Sequence, residues 1–263
     1  IPIIKTRSYL KSPQLPYIRI PGFQEIKNND IVVFNWPADT VRRFFVKEKG
    51  VIKPRDKKSN YVKRALGIPG DTIEIKDGII FINGKKNILP DRAKPIFTFN
   101  IKSNKGVSSN KLKEIGIEGF IRKFVITNLT PGSYEEILNY ILSISKTSDN
   151  EYLVYTNDSG IPLSIIRDNN INISELIDST REISLTYEDA FKIEKSNLFD
   201  TIYRVTQSKG VSNLNFFPNN KNFKWNNDYL GPIYIPKKGD KIDLSLDNLP
   251  LYKKIIKDYE FNE

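Results

Sequence analysis

Between Asn60 and Asn83 the chain has room for one arrangement only: strand, sharp turn, strand, two-residue hairpin, strand. Asn60–Leu66 reads as the first strand, with Tyr61, Lys63 and Ala65 on one face and Val62, Arg64 and Leu66 on the other. Gly67 and Gly70 bracket Pro69, so the chain turns there. Asp71–Lys76 alternates as a half-buried strand. Asp77-Gly78 accepts the positive φ of a type I′ turn and leads into Ile79–Asn83. A lysine in the middle of such a strand is most often a snorkelling surface residue. It can instead be a buried amine with chemistry to perform.

Composition narrows that chemistry. The 263 residues can bury a sizeable core, and 39% hydrophobic with 27% charged residues describes a globular chain. No apolar run reaches the roughly eighteen residues that span a bilayer, and no leader is visible. The chain begins at Ile1, which suggests a fragment. It holds no His and no Cys, so it cannot build a Ser-His-Asp triad, a thiol nucleophile or a disulfide. No spaced acidic cluster suggests a metal loop, and no cofactor motif is present. Hydrolysis here needs Ser or Thr with Lys, or paired carboxylates. The net charge of +10 favours anionic partners, but no nucleic-acid motif accompanies it, and the charge reads mostly as solvated surface.

Along the chain, Ile1–Phe23, with four prolines, reads as an extended arm. Ile31–Trp36 is a strand ended by Pro37, Val41–Val46 a short strand, and Lys47–Lys58 a charged loop. Ile96–Ile101 alternates as a strand. A boundary falls near Lys102, where polar Ser103–Ser109 begins. Beyond it the expectations are a helix over Asn110–Ile115, a strand over Ile121–Thr127, and a capping box Ser133-x-x-Glu136. That box would head a helix burying Tyr134, Ile137, Leu138, Ile141 and Leu142. A strand pair Glu151–Thr156 and Ile161–Arg167 follows, then a helix at Ile173–Ile177, a strand at Glu182–Thr186, a helix at Tyr187–Lys195 and a strand at Asp200–Thr206. Asn213–Tyr229, rich in Asn and aromatics, reads as an irregular loop packed on a sheet rather than a base-stacking platform. Gly231–Ile235 and Ile242–Leu246 read as strands, and Asp247 as the cap of a last helix.

The string Lys63-Arg64-x-x-Gly67-x-Pro69-Gly70-Asp71 resembles the lysine box of the type I signal peptidases. Asn29-Asp30-Ile31-Val32-Val33-Phe34 resembles their Gly-Asp-Ile-Val-Val-Phe strand, with Asn29 in place of glycine. Gln14-Leu15-Pro16-Tyr17, Arg19-Ile20-Pro21-Gly22 and Gly231-Pro232-Ile233-Tyr234-Ile235-Pro236 resemble flanking stretches of the long members. The resemblance implies a mainly β catalytic core (signal-peptidase-like β fold) with an inserted α+β domain: core 1–102, insert 103–212, return segment 213–263. It implies a Ser/Lys endopeptidase at the cell inner membrane, catalytic domain on the periplasmic side, removing signal peptides from preproteins. The membrane anchor would lie outside this chain, with no cofactor, no metal and no nucleic acid. Lys63 would be the general base; Val33, Tyr61 and Val62 would line the pockets for small P1 and P3 residues; Arg64 and Asp71 would be structural. The serine box and the closing box are not in the sequence, so the fragment itself is expected to be inactive. The alternative is an inactive paralogue that binds extended peptides. A lysine base near neutral pH needs its pKa brought from about 10.4 to about 7, a differential solvation of roughly 4–5 kcal/mol. Burial of Lys63 is therefore the feature to look for.

Overall fold

The computed structural model describes residues 21–22, 24–36 and 58–259. The arm up to Ile20, the strand expected at Val41–Val46 and most of the Lys47–Lys58 loop lie outside the described residues. The chain divides into two compact units, Ile1–Pro90 with Gln207–Glu263, and Asp91–Thr206. It is mainly β, built from antiparallel sheets with short helices.

In the first unit β1 (Ile31–Asn35) and β2 (Asn60–Arg64) form a two-stranded ribbon. β3 (Thr72–Lys76) and β4 (Ile79–Ile82) form the hairpin read from the sequence. Asp77 and Gly78 close it at φ 50° and 67°, the left-handed pair that a type I′ turn demands. Asn83 and Gly84 repeat this at 51° and 76°, leading into β5 (Lys85–Lys86).

The second unit starts with β6 (Phe97–Lys102), α1 (Ser109–Glu114) and β7 (Arg122–Thr127). α2 (Pro131–Ile137), β8 (Ile141–Ser148), β9 (Glu151–Thr156) and α3 (Leu163–Asp168) follow. β10 (Asn172–Glu175), β11 (Thr180–Leu185), α4 (Tyr187–Ser196) and β12 (Thr201–Arg204) complete it. The sheet orders are β11-β6-β12 and β10-β7-β9-β8. Each sheet has its own core. Phe99 and Ile101 of β6 pack with Leu112, Phe120 and Ile193; Ile126 and Val154 pack with Ile137 and Ile171. This unit opens at Asp91, ahead of the expected boundary at Lys102, because β6 is the central strand of its sheet and pairs with β11 and β12. The chain then returns to the first unit as β13 (Leu230–Tyr234), which pairs with β3, and ends in α5 (Leu249–Lys254) and a wider turn, Ile255–Tyr259.

Four expected elements differ. Ser133 is not an N-cap: Thr130 is, with Ser133 as its capping-box partner and Pro131 opening the helix. That helix stops at Ile137, and Ile141 and Leu142 belong to β8. Ile161–Arg167 is not a strand, since Pro162 caps α3. Ile173–Ile177 is not a helix, since β10 completes the sheet beside β7. Ile242–Leu246 is irregular, tied by the Asn248 amide to the Asp243 carbonyl and by the Ser245 N–H to Asn248 Oδ1.

A half-buried ionic network holds the second unit. Arg122 reaches Glu175 through Nε at 3.1 Å and Nη2 at 2.7 Å, a bidentate pair. The Ser109 hydroxyl also donates to Glu175, and Arg181 donates to Ser109 Oγ at 3.0 Å. Burial works against the Glu175 charge, yet these donors and the neighbouring arginines hold its carboxyl below the usual range. Glu175→Ala leaves two guanidiniums facing each other without their anion. It is expected to cost about 3 kcal/mol, read by urea unfolding.

Candidate active site

The ribbon begins at a turn that only a few residues tolerate. Asn29 sits at φ 72°, which explains how it replaces a glycine: Asn is the residue other than glycine that enters the left-handed region most readily. Its N–H donates to the Ala65 carbonyl at 2.7 Å, and its amide pairs reciprocally with Asn87 at 3.0 Å. Arg64 Nη1 donates to the Asn29 carbonyl at 2.5 Å, so the arginine next to Lys63 staples the turn to the strand.

Register fixes which side chains share a face. Val32 opposes Lys63 and Phe34 opposes Tyr61; Val33 opposes Val62 and Ile31 opposes Arg64. Directly opposed residues of antiparallel strands project to the same side. Lys63 and Tyr61 therefore lie on one face, while Val33 and Val62 lie together on the other. The structure brings the two valines together and separates them from the tyrosine. Val33 and Val62 are 67% and 62% exposed. Tyr61 is half-buried, with the Trp36 ring 5.0 Å away. Lys63 is exposed. The dry setting that a lysine base requires is not supplied by the described residues.

Asp71 is the hub of the region. It is 8% exposed, and its carboxylate accepts three hydrogen bonds: from Asn28 Nδ2 at 2.8 Å, the Ile68 N–H at 3.0 Å and Asn83 Nδ2 at 2.8 Å. One side chain thereby ties the turn before β1, the turn after β2 and the second hairpin. The Ile68 N–H and the two amides favour the ionised form and hold this carboxyl below its ordinary value, against the opposing effect of burial. A depressed carboxyl pKa contributes stability that is present above the unfolded value of about 3.9 and lost as pH falls through the folded value. Asp71→Asn keeps one acceptor oxygen and turns its NH2 toward at least one of the three donors. It is expected to cost about 2 kcal/mol at pH 7, and to flatten part of the acid limb of the stability profile. Urea titrations between pH 3 and 7 check both.

Gly67 lies close under this hub. A Cβ there would meet Ile73 Cδ1 at 2.3 Å and Ile235 Cδ1 at 2.5 Å, so the Lys63 strand, β3 and the end of β13 converge on a point where no side chain fits. Sequence reading placed Asp71 and the turn but missed Asn28 and Asn83 as its partners, and Asn87 as the partner of Asn29. The turn preference of Asn marks Asn83, but nothing local marks Asn28, 43 positions from its acceptor. No cluster of three or more acidic residues able to hold a metal occurs among the described residues. No described helix is long and apolar enough to cross a membrane.

Residues 3–114 match the family described as "Signal peptidase, peptidase S26". Signal peptidase I P of Bacillus subtilis subsp. natto is 53% identical over 36 residues, 14% of this chain and 20% of that protein. Signal peptidase IB of Staphylococcus aureus strain N315 is 38% identical over 61 residues, 22% of this chain and 29% of that protein. The chain thus spans less than a third of the length of these curated relatives. No solved structure matches it. Residues 3–114, which hold both strands of the ribbon and the Asp71 hub, are thus similar to the signal peptidase family, peptidase S26.

Proposed function

We propose that this chain carries the lysine half of a Ser/Lys endopeptidase that removes N-terminal signal peptides from secreted proteins. The observation that carries the reading is the mounting of Lys63: mid-strand, paired across to Val32, between an arginine stapled to the preceding turn and a turn locked by Asp71. Such anchoring fixes the backbone from which the amine projects, so that a bound peptide has a defined position to meet it. The serine comes from a box outside the motifs of this sequence. Lys63 takes the proton from that hydroxyl as it attacks the scissile carbonyl, and delivers it to the departing amine; water then hydrolyses the acyl-enzyme. The leader peptide lies as an extended strand beside the ribbon. β1-β2 is a two-stranded sheet, so each strand has an outer edge with no strand partner among the described residues. The bound peptide covers Lys63 and supplies the desolvation that an exposed amine lacks.

Val33, Val62 and Tyr61 are proposed as substrate-binding: P1 and P3 of an extended peptide share one side, so the two valines, which share a face, meet those small side chains, and Tyr61 contacts the peptide from the other face. Arg64 and Asp71 are proposed as structural. The enzyme would be held at the inner membrane by an anchor outside this chain, its catalytic part on the periplasmic side, with no nucleic-acid partner. An inactive relative that only binds extended peptides is the second reading, favoured by the exposure of Lys63. The deciding experiment is hydrolysis of a synthetic leader peptide by a protein carrying this chain together with its serine box. Cleavage that needs Lys63 supports the peptidase; binding without cleavage supports the second reading.

A further inference from the structure

We propose that Asn83 is a site of spontaneous covalent modification, at which water converts the side-chain amide to a carboxylate and unties the Asp71 hub. Asn83-Gly84 is the one Asn-Gly pair in the sequence. Every other asparagine precedes a residue whose side chain crowds the next backbone nitrogen. Gly84 leaves that nitrogen open: nothing lies within 4 Å of a Cβ built on it, and its N–H has no hydrogen-bond acceptor among the described residues. The twin turn differs, since there the Gly78 N–H is donated to the Asp228 carbonyl at 2.9 Å. Asn83 and Gly84 are both exposed, so water reaches them.

The Gly84 nitrogen attacks Asn83 Cγ and gives its proton to solvent. The Cγ–Nδ2 bond breaks and ammonia departs, leaving a five-membered imide. Water then opens the ring: at Cγ it gives aspartate, and at the backbone carbonyl it gives isoaspartate, whose main chain runs through Cγ. The sum is amide plus water to carboxylate plus ammonia, with no change of oxidation state. The folded hub holds this back. Asn83 Nδ2 donates to Asp71 Oδ1 at 2.8 Å, Asn83 Oδ1 accepts from the Thr72 N–H at 2.8 Å, and the Asn83 N–H is donated to the Thr72 carbonyl at 2.8 Å. Cγ turns onto the Gly84 nitrogen only when these contacts let go, so the rate follows how often the hairpin opens. Either product sets a carboxylate where a donor stood 2.8 Å from Asp71. Two carboxylates so close resist carrying both charges. The modification therefore acts as a timer on the turn that mounts the Lys63 strand. The inference does not depend on the peptidase reading.

The test incubates the 263-residue chain at mildly alkaline pH and follows every asparagine by peptide mass and isoaspartate content. Asn83 is expected to convert first. Asn28→Ala, which removes one donor from Asp71, is expected to speed its conversion about tenfold. The chain unfolded in urea is expected to convert faster still. Asn83→Asp stands in for the linear product, and Asn83→Gly is its neutral control, keeping the positive φ while removing the donor. Asn83→Asp is expected to have the lower urea midpoint of the two at pH 7. The gap closes toward about pH 4, because the crowded pair has a raised folded pKa and its penalty is relieved as pH falls through that value. Conversion that is slowed by folding, quickened by Asn28→Ala and followed by lost stability supports the proposal. Four results overturn it: no conversion of Asn83 or an earlier one elsewhere, a folded chain that converts as fast as the unfolded one, a rate unmoved by Asn28→Ala, or equal midpoints at pH 7 for Asn83→Asp and Asn83→Gly.

Discussion

Replacing Lys63 with methionine is expected to lower kcat for leader-peptide hydrolysis by about 10^4-fold while leaving unfolding free energy within about 0.5 kcal/mol of the parent. Both halves follow from where the side chain sits. It is exposed on the ribbon, and among the described residues no hydrogen bond or ion pair runs through its amine, so little of the described fold is lost with it. The chemistry loses the proton acceptor without which a serine hydroxyl is a poor nucleophile. Methionine keeps the length and removes the charge. The measurement is single-turnover cleavage, in the protein that also carries the serine box, beside a urea titration of the same variant. Cleavage that persists in Lys63→Met removes the dyad. A collapse of stability shows instead that the lysine is structural.

Gly231→Ala is expected to destabilise the first unit by about 3 kcal/mol or more. The residue sits at φ 93°, where the β13–β3 register slips between Leu230 and Ile233. An added Cβ would stand 2.6 Å from the Ile73 carbonyl oxygen and 3.1 Å from the Glu74 Cα. Those atoms are backbone in the middle of β3, so they cannot step aside as a side-chain tip can. Gly84 is the control: it too has a positive φ, 76°, but nothing lies within 4 Å of its virtual Cβ. Gly84→Ala should therefore cost only the left-handed penalty, about 1–2 kcal/mol. Equal losses in the two variants would mean that β13 does not approach β3 as closely as described.

Much of the fold around the candidate site was legible because its signals are local. Asp77-Gly78 and Asn83-Gly84 each name a turn by the φ they tolerate, and the alternation on either side of them names the strands. Where reading failed, a distant partner had overruled a local pattern. Ile141 and Leu142 continue a helical spacing from Tyr134, but pairing with β9 draws them into a strand. Ile173 joins a strand because the edge of β7 is open to it. Ile242–Leu246 alternates like a strand, yet Ile242 is half-buried and Leu244 and Leu246 are exposed, and no strand among the described residues pairs with the stretch. Within the site, Lys63 and Asp71 stood out through their motif. The Asn28 contact to Asp71 could not, since no sequence rule links residues so far apart. Exposure of Lys63 agrees with the ordinary preference of a mid-strand lysine for the surface, against the burial that its motif led us to look for.

β3 and β13 are sheet neighbours, yet all of Asp91–Thr206 is translated between them. At the usual ~5–20 residues per second, the ribosome takes on the order of ten seconds to deliver the partner that β3 waits for. The second unit, continuous in sequence and with both its cores in hand, can finish folding during that interval. The nascent hairpin meanwhile offers an unsatisfied backbone edge to any extended segment nearby. For a protein whose proposed trade is with extended peptides, that interval is when it is most open to chaperones, and to capture by the wrong strand.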